Sequence, residues 1–145
     1  MYDLDEVCYY FLKRLKYLDN RQYCKNPSKA HAHPKFSIGV REVNRKIVYT
    51  NMKVIFIAND INKEELGEKI HINFNLEELC KEKGILLIYC LSRKALAKIF
   101  KKSKTVSCVG ALSIDGAEKE YENLVKTYQI YKPIIEQKNQ NSLFP

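Results

Sequence analysis

Apolar residues recur along the chain with two periods, one typical of amphipathic helices and one typical of buried strands. A three-and-four spacing of apolar residues predicts helices over 4–18, 40–47, 75–83, 93–102 and 117–131. Continuous apolar runs predict strands over 53–58, 85–91 and 106–114. Because such strands are buried on both faces, the pattern predicts an α/β fold. We expect a three-layer α/β/α sandwich, in which helices cover both faces of a small mixed sheet.

Residues with known preferences for helix ends support these boundaries. Asp3 and Ser92 are candidate N-caps, and Gly84 is a candidate C-terminal stop. Pro133 is predicted to end the last helix. We therefore divide the chain into three parts: an N-terminal helix and a basic connector over 1–35, a single domain over 36–132, and a frayed tail over 133–145. The connector is the stretch from Arg21 to Lys35.

The basic residues are concentrated in one segment. Lys and Arg number 25 against 17 Asp and Glu, a net charge of +8 that favours a polyanionic partner, although solubility alone can explain it. No acidic residue lies between Leu91 and Ile114. We call the following cations the basic ridge: Arg93, Lys94, Lys98, Lys101, Lys102 and Lys104. A solvated lysine face is common, but exposed helices usually intersperse acidic residues for pairing, and this one does not.

A second charged face lies on the helix that starts near Val40. Arg41, Glu42 and Arg45 share an arc of roughly 100° at the helical period. Arg and Glu side chains on one surface can simply pair with each other. Alternatively, the carboxylate can accept hydrogen bonds from the ring N–H and amine of a guanine while the guanidinium groups hold phosphates. Chemistry alone does not choose between these interpretations.

The segment from Gly39 to Arg45 resembles a known signature. It reads Gly-Val-Arg-Glu-Val-Asn-Arg, and it is similar to the Gly-x-Asn/Arg-Glu-x-x-Lys/Arg motif of the ribosomal L-seven-Ae superfamily, whose members bind kink-turn RNA. The similarity to the SECIS-binding proteins, which bind the selenocysteine insertion element of selenoprotein messages, is closer. Arg41 stands where most kink-turn binders have Asn. Further blocks resemble that family at 91–96, 106–110 and 115–117, and the basic connector resembles the segment before its RNA-binding core.

This resemblance implies that 36–132 is a kink-turn-type RNA-binding domain. It implies that Gly39 allows close approach to the RNA, that Glu42 reads a guanine of tandem sheared G·A pairs, and that the arginines hold phosphates and base edges. The loop over 103–108 would cover a flipped-out base, with Val106 as the apolar contact. The implied RNA-binding residues are Gly39, Arg41, Glu42, Arg45, Lys46, Arg93, Lys94, Lys98, Lys101, Lys102, Lys104, Thr105, Val106 and Ser107. Two residues depart from the family pattern: Ala97 replaces a Gly, and Thr105 replaces a frequent Pro.

The function implied is recognition of the selenocysteine insertion element during translation. The partner would be a stem-loop in the 3′ untranslated region of an mRNA, with the ribosome and the selenocysteine-specific elongation factor as further candidates. A ribosomal or small nucleolar ribonucleoprotein subunit that binds kink-turns is the alternative. An adaptor that kept the fold and lost RNA binding is a third hypothesis, which the basic charge disfavours.

Other classes of function lack a pattern in the sequence. We find no Gly-rich phosphate loop and no arrangement of nucleophile and base, so we expect no enzyme, no catalytic residue, no metal, no cofactor and no small-molecule substrate. No apolar run approaches the roughly 20 residues that cross a membrane. The cysteines are odd in number and scattered, which favours reduced thiols and a cytoplasmic or nuclear location. They are Cys8, Cys24, Cys80, Cys90 and Cys108.

Overall fold

The computed structural model describes the backbone of residues 3–61 and 70–142, and the side chains of 3–61 and 76–133. Six helices and four strands lie within these ranges. In chain order they are α1 (Leu4–Lys25), α2 (Pro27–Ala32), β1 (Phe36–Ile38), α3 (Val40–Lys46), β2 (Val54–Ile57), α4 (Ile70–Lys83), β3 (Leu86–Tyr89), α5 (Arg93–Ile99), β4 (Cys108–Ala111) and α6 (Glu118–Ser142).

The four strands form one mixed sheet in the order β1-β4-β2-β3. Strand β2 is parallel to β3, and β4 is antiparallel to both β1 and β2. In this register Ile57 lies opposite both Tyr89 and Cys108, and Ile38 lies opposite Val109. Strands β1, β2 and β3 therefore finish at the same end of the sheet at which β4 begins. We call this the carboxyl end of the sheet.

Side chains of the central strand β2 alternate between two cores. Val54 and Phe56 pack into a cluster with residues of α1, α5 and α6. Ile55 and Ile57 pack into a second cluster with residues of α3 and α4. All four β2 residues are buried, because helices cover the sheet on both sides. This arrangement confirms the predicted three-layer α/β/α sandwich with a small mixed sheet.

The N-terminal helix and the connector differ from the prediction. Helix α1 continues to Lys25 instead of stopping at Leu18, since neither Gly nor Pro interrupts this stretch. The connector contains a helix of its own, α2. Its N-cap Asn26 accepts a hydrogen bond from the backbone N–H of Lys29 at 3.2 Å, and Pro27 occupies the first turn. Proline at that position initiates a helix rather than breaking one, because the N–H it lacks has no partner there.

The prediction that Pro133 ends the last helix is wrong. Helix α6 runs from Glu118 to Ser142 with Pro133 inside it, so the predicted tail over 133–145 begins as a continuation of the helix. Proline lacks the N–H that would have bonded to the carbonyl of Gln129, and its ring crowds that carbonyl. Both residues are exposed, so water can satisfy that carbonyl.

The other predicted helix ends hold in part. Gly84 has a φ of +69° directly after α4, which confirms it as the stop of that helix. Asp3 occupies the N-cap position of α1 but makes no capping hydrogen bond with its side chain.

Among the helices of the described ranges, none combines the length and the apolar character needed to cross a membrane.

Candidate nucleic-acid interface

Several loops meet at the carboxyl end of the sheet. The backbone N–H of Gly39, at the start of α3, donates to the carbonyl of Cys108 at 2.8 Å. The N–H of Asn59, which follows β2, donates to the carbonyl of Leu91, which follows β3, at 2.9 Å. The first hydrogen bond holds the first turn of α3 beside the loop over 101–107. The second joins the segments that follow β2 and β3, so all of these segments belong to one surface.

The backbone conformation of Gly39 explains why glycine stands at the start of α3. Its φ is +101° and its ψ is +144°, a region that residues with a side chain rarely adopt. A Cβ atom built on Gly39 meets nothing within 4 Å, so space is not the constraint in the free protein.

Replacing Gly39 with Ala is expected to lower the free energy of unfolding by about 1–3 kcal/mol, since the strained φ and ψ would remain. Urea unfolding measures this loss, and unchanged stability would contradict the conformation. Gly84→Ala is the matched control because Gly84 also has a positive φ but does not lie at the carboxyl end of the sheet. Both variants should cost stability, and if Gly39 meets RNA as the resemblance implies, only Gly39→Ala should also reduce RNA affinity.

Glu42 and Arg45 form an exposed ion pair on α3. The carboxylate oxygen Oε2 accepts a hydrogen bond from Nη2 of Arg45 at 2.9 Å. This hydrogen bond, together with the charges of Arg45 and Lys46, lowers the pKa of Glu42. The same pair raises the pKa of Arg45. Glu42 is therefore ionised at neutral pH and stays so into the acidic range.

The start of α5 is fixed by two capping contacts. Ser92 accepts a hydrogen bond from the N–H of Ala95 at 3.1 Å through its hydroxyl oxygen, which confirms its predicted role as N-cap. The N–H of Arg93 donates to the carboxylate of Asp60 at 2.9 Å. The guanidinium of Arg93 lies 3.7 Å from the same carboxylate, and its side chain is half-buried. Arg93 is therefore already engaged by Asp60, a partner that the sequence did not reveal.

The rest of the basic ridge is accessible. Five lysines of α5 and the loop after it have exposed side chains: Lys94, Lys98, Lys101, Lys102 and Lys104. The turn after α5 is closed by a hydrogen bond from the N–H of Lys102 to the carbonyl of Ala97, with Lys101 at a φ of +52°. Two further backbone bonds return the loop to the sheet, from Val106 to Arg93 and from Ala58 to Ser107. The lysines thus lead from α5 toward the start of α3.

Val106, the predicted apolar contact for a flipped-out base, is largely buried in the free protein. Its side chain is 5 % exposed and belongs to the core under α5. This burial does not favour direct contact with a flipped-out base. The exposed residues of the loop are Ser103, Lys104 and Thr105, with Ser107 half-buried. Val106 anchors the loop, and the accessible surface is provided by its neighbours.

Ala97 also faces the interior. Its side chain is 7 % exposed and packs in the same core as Leu96. The methyl group that distinguishes this chain from relatives with Gly therefore points away from the accessible face of α5. The departure at this position leaves the surface of the basic ridge unchanged.

Lys46, in the last turn of α3, lines a second basic feature of the surface. This feature lies at the end of the sheet opposite to the carboxyl end. There the connector folds with the residues after α3 into a cleft of about 1150 Å³, which we call the connector cleft. Its charged lining consists of Arg21, Lys25, Lys29, Lys35 and Lys46 against Asp115, together with His31 and His33. The sequence indicated that the connector is basic, because no acidic residue lies over 20–41. It did not reveal that the connector lines the same cleft as the end of α3.

The arrangement at the carboxyl end joins two kinds of chemistry. Gly39, Arg41, Glu42 and Arg45 form a surface with one anion and two cations, suited to a base edge flanked by phosphates. The exposed lysines of the basic ridge add positive charge suited to a nucleic-acid backbone. In the part of the chain that the structure describes, no group of three His, Cys, Asp or Glu residues could hold a metal ion.

Comparison with known proteins identifies related sequences. The chain is 30% identical to selenocysteine insertion sequence-binding protein 2 of Rattus norvegicus over 133 residues, which are 86% of this chain and 15% of that protein. It is 29% identical to selenocysteine insertion sequence-binding protein 2-like of Homo sapiens over 125 residues, 86% of this chain and 11% of that protein. The chain thus corresponds to a small part of the length of these relatives. These similarities confirm the resemblance to SECIS-binding proteins.

The fold has a counterpart among solved structures. The Giardia lamblia 15.5kD RNA binding protein superposes with a TM-score of 0.62 at 17% sequence identity, covering 86% of this chain and 89% of the other. A family model described as the ribosomal protein L7Ae/L30e/S12e/Gadd45 family matches residues 22–122, from the end of α1 into α6. Since this match spans well over half of the sequence, the chain belongs to the ribosomal protein L7Ae/L30e/S12e/Gadd45 family.

Proposed function

We propose that this chain binds RNA and recognises a kink-turn-like stem with tandem sheared G·A pairs. Its target in this proposal is the selenocysteine insertion element of selenoprotein mRNAs, and its role is in selenocysteine incorporation during translation. The observation that carries the proposal is an exposed, ionised Glu42 set beside Arg41 and Arg45 next to Gly39. The relatives are selenocysteine insertion sequence-binding proteins, which supports the choice of RNA.

Glu42 would read the base and the arginines would hold the strand around it. A guanine outside a Watson–Crick pair presents its ring N–H and amine as donors, and a carboxylate accepts from both. The pair with Arg45 orients the carboxylate in the free protein. Because both side chains are exposed, this ion pair is weak and a guanine can replace the guanidinium at little cost. Arg45 would then turn to a phosphate.

The basic ridge would hold the backbone of the stem. Its exposed lysines neutralise phosphates without reading sequence, and this contribution weakens as salt increases. The ridge would therefore supply affinity for any RNA, whereas Glu42 would supply the preference for the mispaired stem. This division of roles gives each group of residues a separate experimental signature.

A gel-shift series with three RNAs tests the proposal. The RNAs are a selenocysteine insertion element stem, an ordinary kink-turn, and a plain duplex of equal length. We expect the insertion element to bind most tightly and the duplex most weakly. Equal affinity for the duplex and the insertion element would overturn the proposal. Preference for the ordinary kink-turn would instead support a ribosomal or small nucleolar ribonucleoprotein subunit, the alternative to which the family description also points.

Removing one lysine of the ridge is expected to weaken all three RNAs by the same factor. Lys98→Ala, Lys101→Ala or Lys102→Ala should reduce the slope of log affinity against log salt by less than about one unit, because each lysine neutralises at most one phosphate. Filter binding from low to moderate salt measures the slope. Lys81→Ala, an exposed lysine of α4, is the matched control and should change nothing. A loss restricted to one RNA would contradict this role.

The cellular partners follow from the same proposal. We expect the bound RNA to be a stem-loop of the 3′ untranslated region, and the ribosome and the selenocysteine-specific elongation factor to act with the chain there. Binding of this kind takes place in the cytoplasm, with the nucleus as the second location. Sequencing of RNA cross-linked to the chain in each cell fraction tests both points. Recovery of ribosomal or small nucleolar RNA alone would contradict them.

A further inference from the structure

We propose that a groove between α1 and α6 binds an acidic, amphipathic segment of a partner protein. The groove has a volume of about 540 Å³ and lies on the outer side of these two helices. Residues of α1 at helical spacing form one wall and the first turns of α6 form the other. The residues that carry the argument are Tyr10, Lys13, Arg14, Tyr17, Lys119 and Glu120.

Two tyrosines give the groove its apolar surface. The rings of Tyr10 and Tyr17 are 55% and 54% exposed, well above what a packed aromatic side chain shows. They are two helical turns apart, a separation of roughly 10 Å along α1. Tyrosine is enriched in the centres of protein interfaces, since it buries a large ring and keeps a hydroxyl for hydrogen bonding. The spacing suits a segment that places two apolar side chains against one helix.

The charge of the groove specifies the sign of its partner. Lys13, Arg14 and Lys119 stand against the single acid Glu120, so the lining is positive. Lys13 holds its Nζ 5.4 Å from the ring centroid of Tyr9. Arg14 donates from Nε to the carbonyl of Gly116 at 3.1 Å. The bond to Gly116 fixes Arg14 across the groove, and Lys13 lines it beside Arg14, so carboxylates of a partner would meet both cations.

The contacts of the rings favour a protein segment over single-stranded RNA. Base stacking requires an open ring face. The guanidinium of Arg14 lies 5.2 Å from the ring centroid of Tyr17, and the ring of Tyr10 packs edge-on with Tyr9 at 5.6 Å. Each ring therefore has part of its surface in contact with a neighbouring side chain. The exposed remainder, which lies beside cations, suits carboxylates and apolar side chains.

The groove lies in a different layer of the sandwich from α3, the helix that carries Glu42. Helices α1 and α6 cover the face of the sheet that also carries α5, whereas α3 covers the opposite face. Most of α1 also lies before residue 22, where the match to the family model begins. A partner in the groove would therefore leave Glu42 accessible, and this inference does not depend on the proposed RNA target.

Phage selection tests the inference without assuming a particular partner. Random 16-residue peptides are selected on the folded chain, and those that also bind the double variant Tyr10→Ala/Tyr17→Ala are removed. We expect the survivors to be enriched in Asp and Glu interspersed with Leu, Phe or Trp. A synthetic survivor should lose at least tenfold affinity for Lys13→Glu/Lys119→Glu. Tyr23→Ala, a 55% exposed tyrosine on the same helix outside the groove, should bind it unchanged.

Several outcomes would overturn the inference. Survivors that are neutral or basic, no survivors at all, or binding that is insensitive to the charge reversal would each do so. A U10 oligonucleotide that binds the chain but not the tyrosine variant would assign the groove to nucleic acid. Dimerisation that is lost in that variant would assign it to a second copy of the chain. The groove variants should bind the kinked stem as the unchanged chain does, and a loss there would make the groove part of the RNA interface.

Discussion

Replacing Glu42 with Ala is expected to weaken binding of a stem with tandem G·A pairs by roughly 10- to 100-fold, because one carboxylate supplies both acceptors for the guanine. The affinity for a plain duplex should not fall, since removal of Glu42 also releases Arg45 to bind phosphates. Titration of both RNAs at one salt concentration, followed by fluorescence anisotropy, measures the two effects. The ratio of the two affinities is the quantity that should change.

Two further variants separate base reading from a general effect of charge. Glu42→Gln keeps the size of the side chain but replaces one acceptor oxygen with a donor, so it should lose nearly as much as Glu42→Ala. Glu78→Ala removes an exposed acid from α4 and should leave both affinities as they were. If Glu42→Ala weakens the kinked stem and the duplex equally, Glu42 does not read a base.

Replacing Phe11 with Ala is expected to lower the free energy of unfolding by about 3–5 kcal/mol, the range for a large aromatic residue lost from a core. Phe11 is fully buried on α1, with its ring centroid 5.8 Å from that of Phe56 and 5.9 Å from that of Tyr121. It thus joins α1, β2 and α6. Because small domains are stable by only about 5–15 kcal/mol, this variant should lose much of its stability. Urea unfolding at 25 °C measures the loss.

The neighbouring residue provides a control for Phe11. Tyr10 precedes it on the same helix but is exposed, so Tyr10→Ala should change stability by no more than about 0.5 kcal/mol. A small loss in Phe11→Ala would mean that α1 is an appendage of the domain and not part of its core. The comparison therefore also tests whether residues 1–35 fold together with 36–132.

Most of the fold could be predicted from hydrophobic patterning because its central strands are uniformly apolar. The run Val54-Ile55-Phe56-Ile57 can only lie between two covered faces, and the structure places it there. Strand β1 was missed because three residues do not establish a period, and because Phe36–Ile38 is defined by its pairing with β4. Helix α1 was predicted too short because its last turns are polar and carry no apolar stripe.

The charged helix of the candidate site could be predicted, but not the surface that it shares with other elements. The spacing predicted Arg41, Glu42 and Arg45 on one face of a helix, and the structure shows that helix and the ion pair between Glu42 and Arg45. The sequence did not predict that Ala97 faces the core side of α5. The burial of Val106 was not predictable either, because it depends on a loop that packs back onto the core. The engagement of Arg93 by Asp60 joins residues that are distant in sequence, so no local pattern could reveal it.

The connector cleft illustrates the same limit at larger scale. The absence of acidic residues over 20–41 indicated a basic surface, but its shape depends on how α2 packs beside the end of α3 and on the chain that leaves β4. Local sequence determines charge and periodicity. The distance between two charged segments is determined by the sheet, whose strand order β1-β4-β2-β3 does not follow the order of the chain.

A nuclear magnetic resonance titration of the labelled chain tests the central claim most directly. Spectra are recorded with a stem containing tandem G·A pairs and then with a plain duplex. We expect the mispaired stem to shift the resonances of residues 39–45 and of the loop over 101–107, and the duplex to affect the ridge lysines while leaving residues 39–45 nearly unchanged. Identical shifts with both RNAs, or shifts confined to another face of the domain, would contradict the claim that α3 reads the kinked stem.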